Sequence, residues 1–451
     1  MLRCVSTSAF LCYLAVFSLS FTGLLCADDE PFQPASSVSE VREQIEKLPK
    51  KDIWWTVNGE DMAWNNRNLQ RIFPTVPVYR AGQVKELPYH LNPEIAEFPV
   101  ETPAGVMPFK AFLDSDQSTV MGIVVLHQGR IAFEHYPRQQ PYEKPIYWSV
   151  TKAFVSTLLA ILEDRGLVDV GKPIEHYIPE LANSSFAGVT IRNFLDMASG
   201  VDCPEEYEDH DSCYYRYSMT VGDGYWTESS PDNPYVLLAE LKAKRWAEQG
   251  TSFSYSGVNT FVLGWLVEKI TGMPFQDALS SEIWTRIGAE GDAAILAPRF
   301  GVPNTHGGLL ARVRDVARFG LLFTPSYTVV TNEKIVSDRY VELILNGGNP
   351  QLLKNARYGA PEDPSIKHNV YQWDLVWDND DFLKGGWAGQ GLLINPTRDL
   401  VAVWTGYFKD DDQSEIELLP KLRNVLNAVY GEAAGLPPDD IKPRQHQDDH
   451  Q

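Results

Sequence analysis

The sequence predicts an α+β fold: an antiparallel sheet flanked by helices, with an inserted, mainly helical subdomain. Three observations carry this expectation. One strand pair is legible from residue 122, and another from residue 392. The long stretch between them repeats apolar residues at helical spacing. Strands that open and close a body, with helices filling its middle, imply one sheet assembled from both ends of the chain. No repeat of solenoid or propeller length interrupts the pattern.

Taken in order, residues 1–27 read as an export signal. Arg3 precedes an almost wholly apolar run from Ala9 to Leu25, and the small Ala27 stands before Asp28-Asp29-Glu30. A retained membrane anchor is the alternative, because the run approaches the lower spanning length. A lipoprotein site at Cys26 fits less well behind the bulky Leu25. Residues 28–118 carry many prolines and little periodicity. They are expected to form an N-terminal extension packed on the body through Trp54, Trp55, Trp64 and Phe73.

The body, 119–432, opens with Ile123–Leu126 and Arg130–Phe133, joined as a hairpin through His127-Gln128-Gly129. A helix from Ser149 keeps Phe154, Val155, Leu158, Leu159 and Leu162 at helical spacing and ends at Gly166. In the helical subdomain, roughly 165–300, residues 190–200 and 234–247 are predicted helical, as is Thr260 to Ile270 before Gly272. Another helix spans about Arg312 to Phe323. Leu392–Ile394 and Leu400–Trp404 read as strands, and a last helix runs from about Ser414 to Val429. The Pro-, Asp- and Gln-rich residues 433–451 are expected to be disordered.

With 44% hydrophobic and 12% aromatic residues in 451, the chain has material for a large core, which excludes whole-chain disorder. The net charge is −21, and it becomes −22 once residues 1–27, with one basic and no acidic residue, are removed. Such a surface repels nucleic acid and anionic lipid, so neither is an expected partner. Three of the five cysteines lie in the leader. Cys203 and Cys213 remain, and in an oxidising compartment they are expected to pair; two unpaired thiols are the alternative. The acidic run Pro204–Asp211 between them lacks the ligand spacing of a cation loop, and no phosphate-binding loop is present, so no metal or cofactor is expected.

Ser149-Val150-Thr151-Lys152 places a lysine three residues after a serine at the start of an amphipathic helix, directly behind Tyr147-Trp148. Residues i and i+3 share a helix face, so Lys152 can reach the Ser149 hydroxyl. Free N–H groups at the helix start can stabilise an oxyanion. A serine nucleophile needs an adjacent base, and a desolvated lysine can supply one. A serine cap with a solvated lysine is the structural alternative. Tyr255, in Phe253-Ser254-Tyr255-Ser256-Gly257-Val258-Asn259, opens another apolar helix and can relay a proton; a buried tyrosine bonded to backbone is its alternative. Gly385-Gly386-Trp387-Ala388-Gly389-Gln390-Gly391 leads into a strand, where glycines permit close approach of a substrate.

In order, SVTK, FSYSGVNTFVLGWLVEKITG, THGGLLARVRDVARFG and GGWAGQGLLINPTRDLVAVW resemble the serine β-lactamase and penicillin-binding-protein-like superfamily, on the class C side with its carboxylesterases and 6-aminohexanoate-oligomer hydrolases. The resemblance covers about Met121 to Val429. It implies a β-lactamase/transpeptidase-like fold, Ser149 as acylated nucleophile, Lys152 as its activating partner and Tyr255 as proton relay. Trp387-Ala388-Gly389 stands where the third motif, K-T-G or H-x-G, is expected, and the N–H groups of Ser149 and Gln390 would form the oxyanion hole. Trp148, Gly257, Asn259, Trp387, Ala388 and Gly389 are the implied substrate-side residues.

Two departures stand out. Gly257 replaces the Asn or Ser usual in the tyrosine motif, with Asn259 as a candidate substitute. Trp387 replaces a basic residue or His. Together they favour a neutral ester or a simple amide held by apolar and aromatic contacts, and with the N-terminal signal the expectation is an exported serine hydrolase. The alternatives are a catalytically lapsed binding or cell-envelope protein and a true β-lactamase or D-alanyl-D-alanine carboxypeptidase. Ser199 lacks the first glycine of a G-x-S-x-G elbow, and His127 and His135 lack zinc-hydrolase spacing; His306 reads as a turn histidine.

Overall fold

The structure, a computed structural model, describes residues 36–47, 57–224, 227–299, 301–410 and 418–431. The expected signal at 1–27, Trp54, Trp55 and the tail at 433–451 lie outside the described residues.

Twelve strands are described, in chain order: β1 (Thr75–Val78), β2 (Pro99–Thr102), β3 (Gly105–Pro108), β4 (Gly122–His127), β5 (Arg130–His135), β6 (Ala293–Leu296), β7 (Leu309–Leu310), β8 (Ile366–Val370), β9 (Trp373–Trp377), β10 (Phe382–Gly386), β11 (Gln390–Asn395) and β12 (Leu400–Thr405). Seven form one antiparallel sheet in the order β5-β4-β12-β11-β10-β9-β8. The two chain ends meet in it, with Leu126 opposite Val401 and Ile123 opposite Trp404. The β4–β5 turn places Gln128 and Gly129 at φ 51° and 71°, the left-handed pair a two-residue hairpin requires.

Alternation along these strands fills two layers. Val124, Leu126, Leu392, Ile394, Val401 and Val403 face the central helices with Phe154, Val316 and Phe319. Ile123, Val125, Leu393, Ala402 and Trp404 face the other way, against Leu422, Val425 and Leu426 of the helix Leu418–Tyr430. The sheet is therefore covered on both faces, which is why β4, β11 and β12 read as continuous apolar runs.

The serine helix, Thr151–Asp164, is buried all round from Thr151 to Leu162 and packs on the helix Gly257–Thr271. A second sheet, β1-β6-β7, joins the N-terminal extension to the body, with Val76 opposite Ile295. Residues 88–92 also bond along β5, through the Ile131 N–H to the Pro88 carbonyl and the His90 N–H to the Ile131 carbonyl, and so cover an open sheet edge. Trp64 is fully buried and Phe73 half-buried.

Two expected helices are shorter than predicted. Residues 190–200 are helical only over Ile191–Leu195, because Met197 and Gly200 take left-handed φ values of 55° and 71°. Residues 234–247 are helical only over Pro234–Ala239. Beyond it the Leu241 carbonyl accepts from the Ser185 N–H, and Arg245 bridges to Val201, pulling the chain into an extended seam. Among the described residues no helix is long and apolar enough to cross a membrane.

Candidate active site

The serine helix is preceded by a single 3-10 turn, Trp148–Val150, that holds Ser149. Trp148 has φ 43°, an unusual conformation for so bulky a residue, immediately before the nucleophile candidate. Strand β10 runs beside this turn, and a Cβ on Gly386 would lie 2.5 Å from the Tyr147 carbonyl. Only glycine lets the strand approach so closely.

Ser149, Lys152 and Tyr255 come together. Lys152 Nζ lies 2.8 Å from Ser149 Oγ and also donates to the His306 carbonyl at 2.8 Å. Its side chain is fully buried, and burial pushes its pKa down to about 8, against the opposing pull of Glu205. The Tyr255 ring sits 4.8 Å beneath the Lys152 ammonium. Burial raises the phenol well above its ordinary value, while a hydrogen bond with Ser149 works in the opposite direction. Tyr255 is therefore a neutral phenol at neutral pH, suited to carry a proton rather than to act as a phenolate.

The third-motif expectation is corrected. The basic group facing Tyr255 is Lys384, which heads Lys384-Gly385-Gly386 on β10, three residues before Trp387. Lys384 Nζ donates to Tyr255 Oη at 2.9 Å and to both Asp374 carboxylate oxygens at 2.7 Å. It is fully buried, and burial lowers its pKa against the pull of Asp374. Lys384 and Asp374 were not singled out from the sequence; the K-x-G spelling was the available signal. His306, read as a turn residue, contributes its carbonyl to Lys152. Its ring is fixed by Tyr217 Oη at 2.9 Å and Asp223 Oδ2 at 3.1 Å.

Other expected residues divide. Trp387, Gly389 and Gln390 line a cavity of about 310 Å³ together with Ser149, Tyr255, Glu205, Asp374 and Trp404. Trp148 stacks edge-on against Trp387 at 5.5 Å. Ala388, at φ 60°, turns into a buried cluster with Met62 and Phe408. Asn259 lies inside the helix Gly257–Thr271, where its Nδ2 faces Met197 Sδ at 3.9 Å; it does not reach Ser149. Gln390 stands opposite Gly386 on β11, and its side-chain amide bonds the Ala388 and Gly406 carbonyls. Cys203 and Cys213 form a disulfide with Cα atoms 5.3 Å apart. Among the described residues no cluster of three or more His, Cys, Asp or Glu could hold a metal ion.

The chemistry of the site agrees with the relationships of the chain. The model of the Beta-lactamase family matches residues 109–416. The 6-aminohexanoate-dimer hydrolase of Paenarthrobacter ureafaciens is 28% identical over 302 residues, covering 66% of this chain and 75% of that protein. A solved Bacillus anthracis structure, named as a candidate 6-aminohexanoate-dimer hydrolase, superposes with a TM-score of 0.72 at 24% identity, covering 85% of this chain and 97% of the other. The hydrolase EstCE1, described as having promiscuous acyltransferase activity, superposes with a TM-score of 0.53 at 14% identity, covering 71% and 96%. These structural likenesses establish the β-lactamase/transpeptidase fold, and the relatives by sequence include hydrolases. The chain belongs to the Beta-lactamase family, within the serine β-lactamase and penicillin-binding-protein superfamily.

Proposed function

We propose that the protein is a serine hydrolase that cleaves a small ester or amide through an acyl-enzyme on Ser149. The observation that carries this reading is the 2.8 Å contact between Lys152 Nζ and Ser149 Oγ at the wall of an aromatic cavity. Neutral Lys152 keeps one N–H on the His306 carbonyl and presents its lone pair to the Ser149 hydroxyl. It takes that proton as Oγ attacks the carbonyl carbon. Tyr255, between Lys152 and Lys384, passes its phenolic proton to the departing alkoxide or amine and regains one from the Lys152 ammonium, so that the serine proton ends on the leaving group. Water then attacks the Ser149 ester, its proton returns through the same groups to Oγ, and the carboxylic acid leaves.

Oxyanion stabilisation falls to the Ser149 N–H and an N–H at the β10 edge. The resemblance implies Gln390 as the second donor. Strand alternation favours Trp387 instead. The Gly385 N–H points away from β11, to Asp374 Oδ2 at 2.9 Å, so the Trp387 N–H two residues on points to the same side, beside Ser149. By the same alternation the Gln390 N–H faces the Gly386 carbonyl across the ladder.

Two features support a substrate without a carboxylate beside its scissile bond. Lys384 is buried and already paired with Asp374, and Glu205 and Asp374 line the cavity. Trp387, Trp404 and Leu419 offer apolar surface for an acyl chain. A β-lactamase or carboxypeptidase reading would need a cation free to hold a carboxylate. The disulfide supports action in an oxidising compartment, in keeping with the proposed export. Purified protein should hydrolyse p-nitrophenyl butyrate, prefer it to the succinate half-ester of p-nitrophenol, and lose both activities on Ser149→Ala. Equal hydrolysis by wild type and Ser149→Ala would remove this reading.

A further inference from the structure

Gly257 leaves the third position of the tyrosine motif without a side chain, and the space beside it is filled from elsewhere in the chain. A Cβ on Gly257 would lie 2.9 Å from Glu205 Oε1, 2.9 Å from Tyr214 Oη and 2.7 Å from His306 Cδ2. Glu205 Oε1 lies 3.7 Å from Lys152 Nζ, and its Oε2 is 3.4 Å from Tyr207 Oη. The loop that carries Glu205 is closed two residues earlier by the Cys203–Cys213 disulfide. Its root is tied to the tyrosine motif itself, because Ser256 Oγ donates to the Cys203 carbonyl at 2.6 Å.

We propose that Glu205, carried by the Cys203–Cys213 loop, is the positioning residue for Lys152 and occupies the place that Gly257 leaves open. The inference rests on Ser149 and Lys152 being nucleophile and base. It accounts for the glycine: a side chain at 257 would crowd the Glu205 carboxylate together with the Tyr214 hydroxyl and the His306 ring. It also gives the acidic disulfide loop a role that needs no metal.

The groups facing Lys152 come from six further segments. They are Glu205, Tyr255 before its helix, Lys384 on β10 with Asp374 on β9, Asp223 after the helix Cys213–Val221, and the His306 carbonyl. Among these charges Glu205 acts most strongly on Lys152, and it favours the ammonium. Lys384 opposes it, while Asp374 and Asp223 act in the same sense more weakly. The carboxylate thus keeps the buried amine able both to accept the serine proton and to hand it on.

The test is the pH dependence of Ser149 labelling by a fluorophosphonate, followed by intact mass, for wild type, Glu205→Gln and Glu205→Asp. Glu205 is about a fifth exposed and Gln is isosteric, so the fold should persist; matching thermal melts check this. Neutral Lys152 is the reactive form. Removing the adjacent negative charge lowers its pKa, so the ascending limb of the Gln variant should move to lower pH by roughly 1–3 units. The Asp variant, which keeps the charge, should show the smaller displacement. A limb that stays in place in Glu205→Gln, with Ser149 still labelled, overturns the proposal and leaves the hydrolase reading intact. Labelling that persists in Ser149→Ala would overturn both.

Discussion

Asp374→Ala should expose how strongly the site depends on a buried ion pair. Lys384 is fully buried, and Asp374 gives it two 2.7 Å contacts while also accepting the Gly385 N–H at 2.9 Å. The variant leaves the ammonium with Tyr255 Oη as its remaining acceptor. An ammonium so stranded sheds its proton rather than stay charged. At pH 7, neutralising a lysine of ordinary pKa costs roughly 4–5 kcal/mol, in the range for breaking a buried pair. Asp374 is about a quarter exposed, and water entering the space it vacates reduces the penalty, so the expected loss is about 3 kcal/mol. In the variant the folded pKa of Lys384 lies below its unfolded value. The unfolded chain then binds more protons, and stability rises with pH between those two values. Burial lowers the Lys384 pKa in wild type as well, so the deficit should shrink between pH 7 and 9 while the wild-type amine keeps its proton, by up to about 1.4 kcal/mol per unit. Urea unfolding followed by tryptophan fluorescence at both pH values measures it. A loss below about 1 kcal/mol at pH 7, or a deficit that does not shrink by pH 9, would refute the argument.

Lys152→Met should lower kcat/KM for p-nitrophenyl butyrate by about a thousandfold while the protein stays folded. In wild type the same rate should climb with pH through a limb near the Lys152 value of about 8, since burial favours the neutral, reactive amine. Gly391→Ala should destabilise by about 1–3 kcal/mol in urea, because the new methyl would start 2.1 Å from Trp404 Cζ2. Replacing both Cys203 and Cys213 with serine should cost about 2–3 kcal/mol, as expected for a bridge closing a short loop. Titration of denatured, unreduced protein prepared without residues 1–27 should find no free thiol.

The parts of the site legible in the sequence are those held by local geometry. Ser149 and Lys152 are one helical turn apart, and the turn itself brings them to 2.8 Å. Tyr255 opens a helix whose apolar run, from Phe261 to Val267, is continuous and fully buried, so its position could be read from periodicity. Lys384 was missed because its partners are remote: Tyr255 is 129 residues away in sequence, and Asp374 sits on the neighbouring strand β9, whose short aromatic run Trp373–Trp377 carries weak alternation. The third motif expected at Trp387–Gly389 therefore begins three residues beyond Lys384. Glu205 was hidden for a different reason. It lies in an irregular disulfide loop with no period to fix its direction, so its approach to Lys152 depends on the tertiary closure at Ser256 and Gly257.

The same distinction explains the fold. The strand pairs at 122–135 and 390–405 were visible because residues on both of their faces are buried. Strands β8 to β10 were not, since Lys367, Asp374, Lys384 and two glycines interrupt their apolar pattern. The predicted helix at 234–247 was cut short by tertiary bonds from Ser185 and Arg245, which propensity cannot foresee.

The central claim is a covalent acyl-enzyme on Ser149, and intact-mass measurement after reaction with a fluorophosphonate and with short activated esters tests it most directly. The account predicts one adduct per chain, mapped by peptide digestion to Ser149, absent in Ser149→Ala and slowed in Lys152→Met. An adduct on another residue, or equal labelling of wild type and Ser149→Ala, would contradict it.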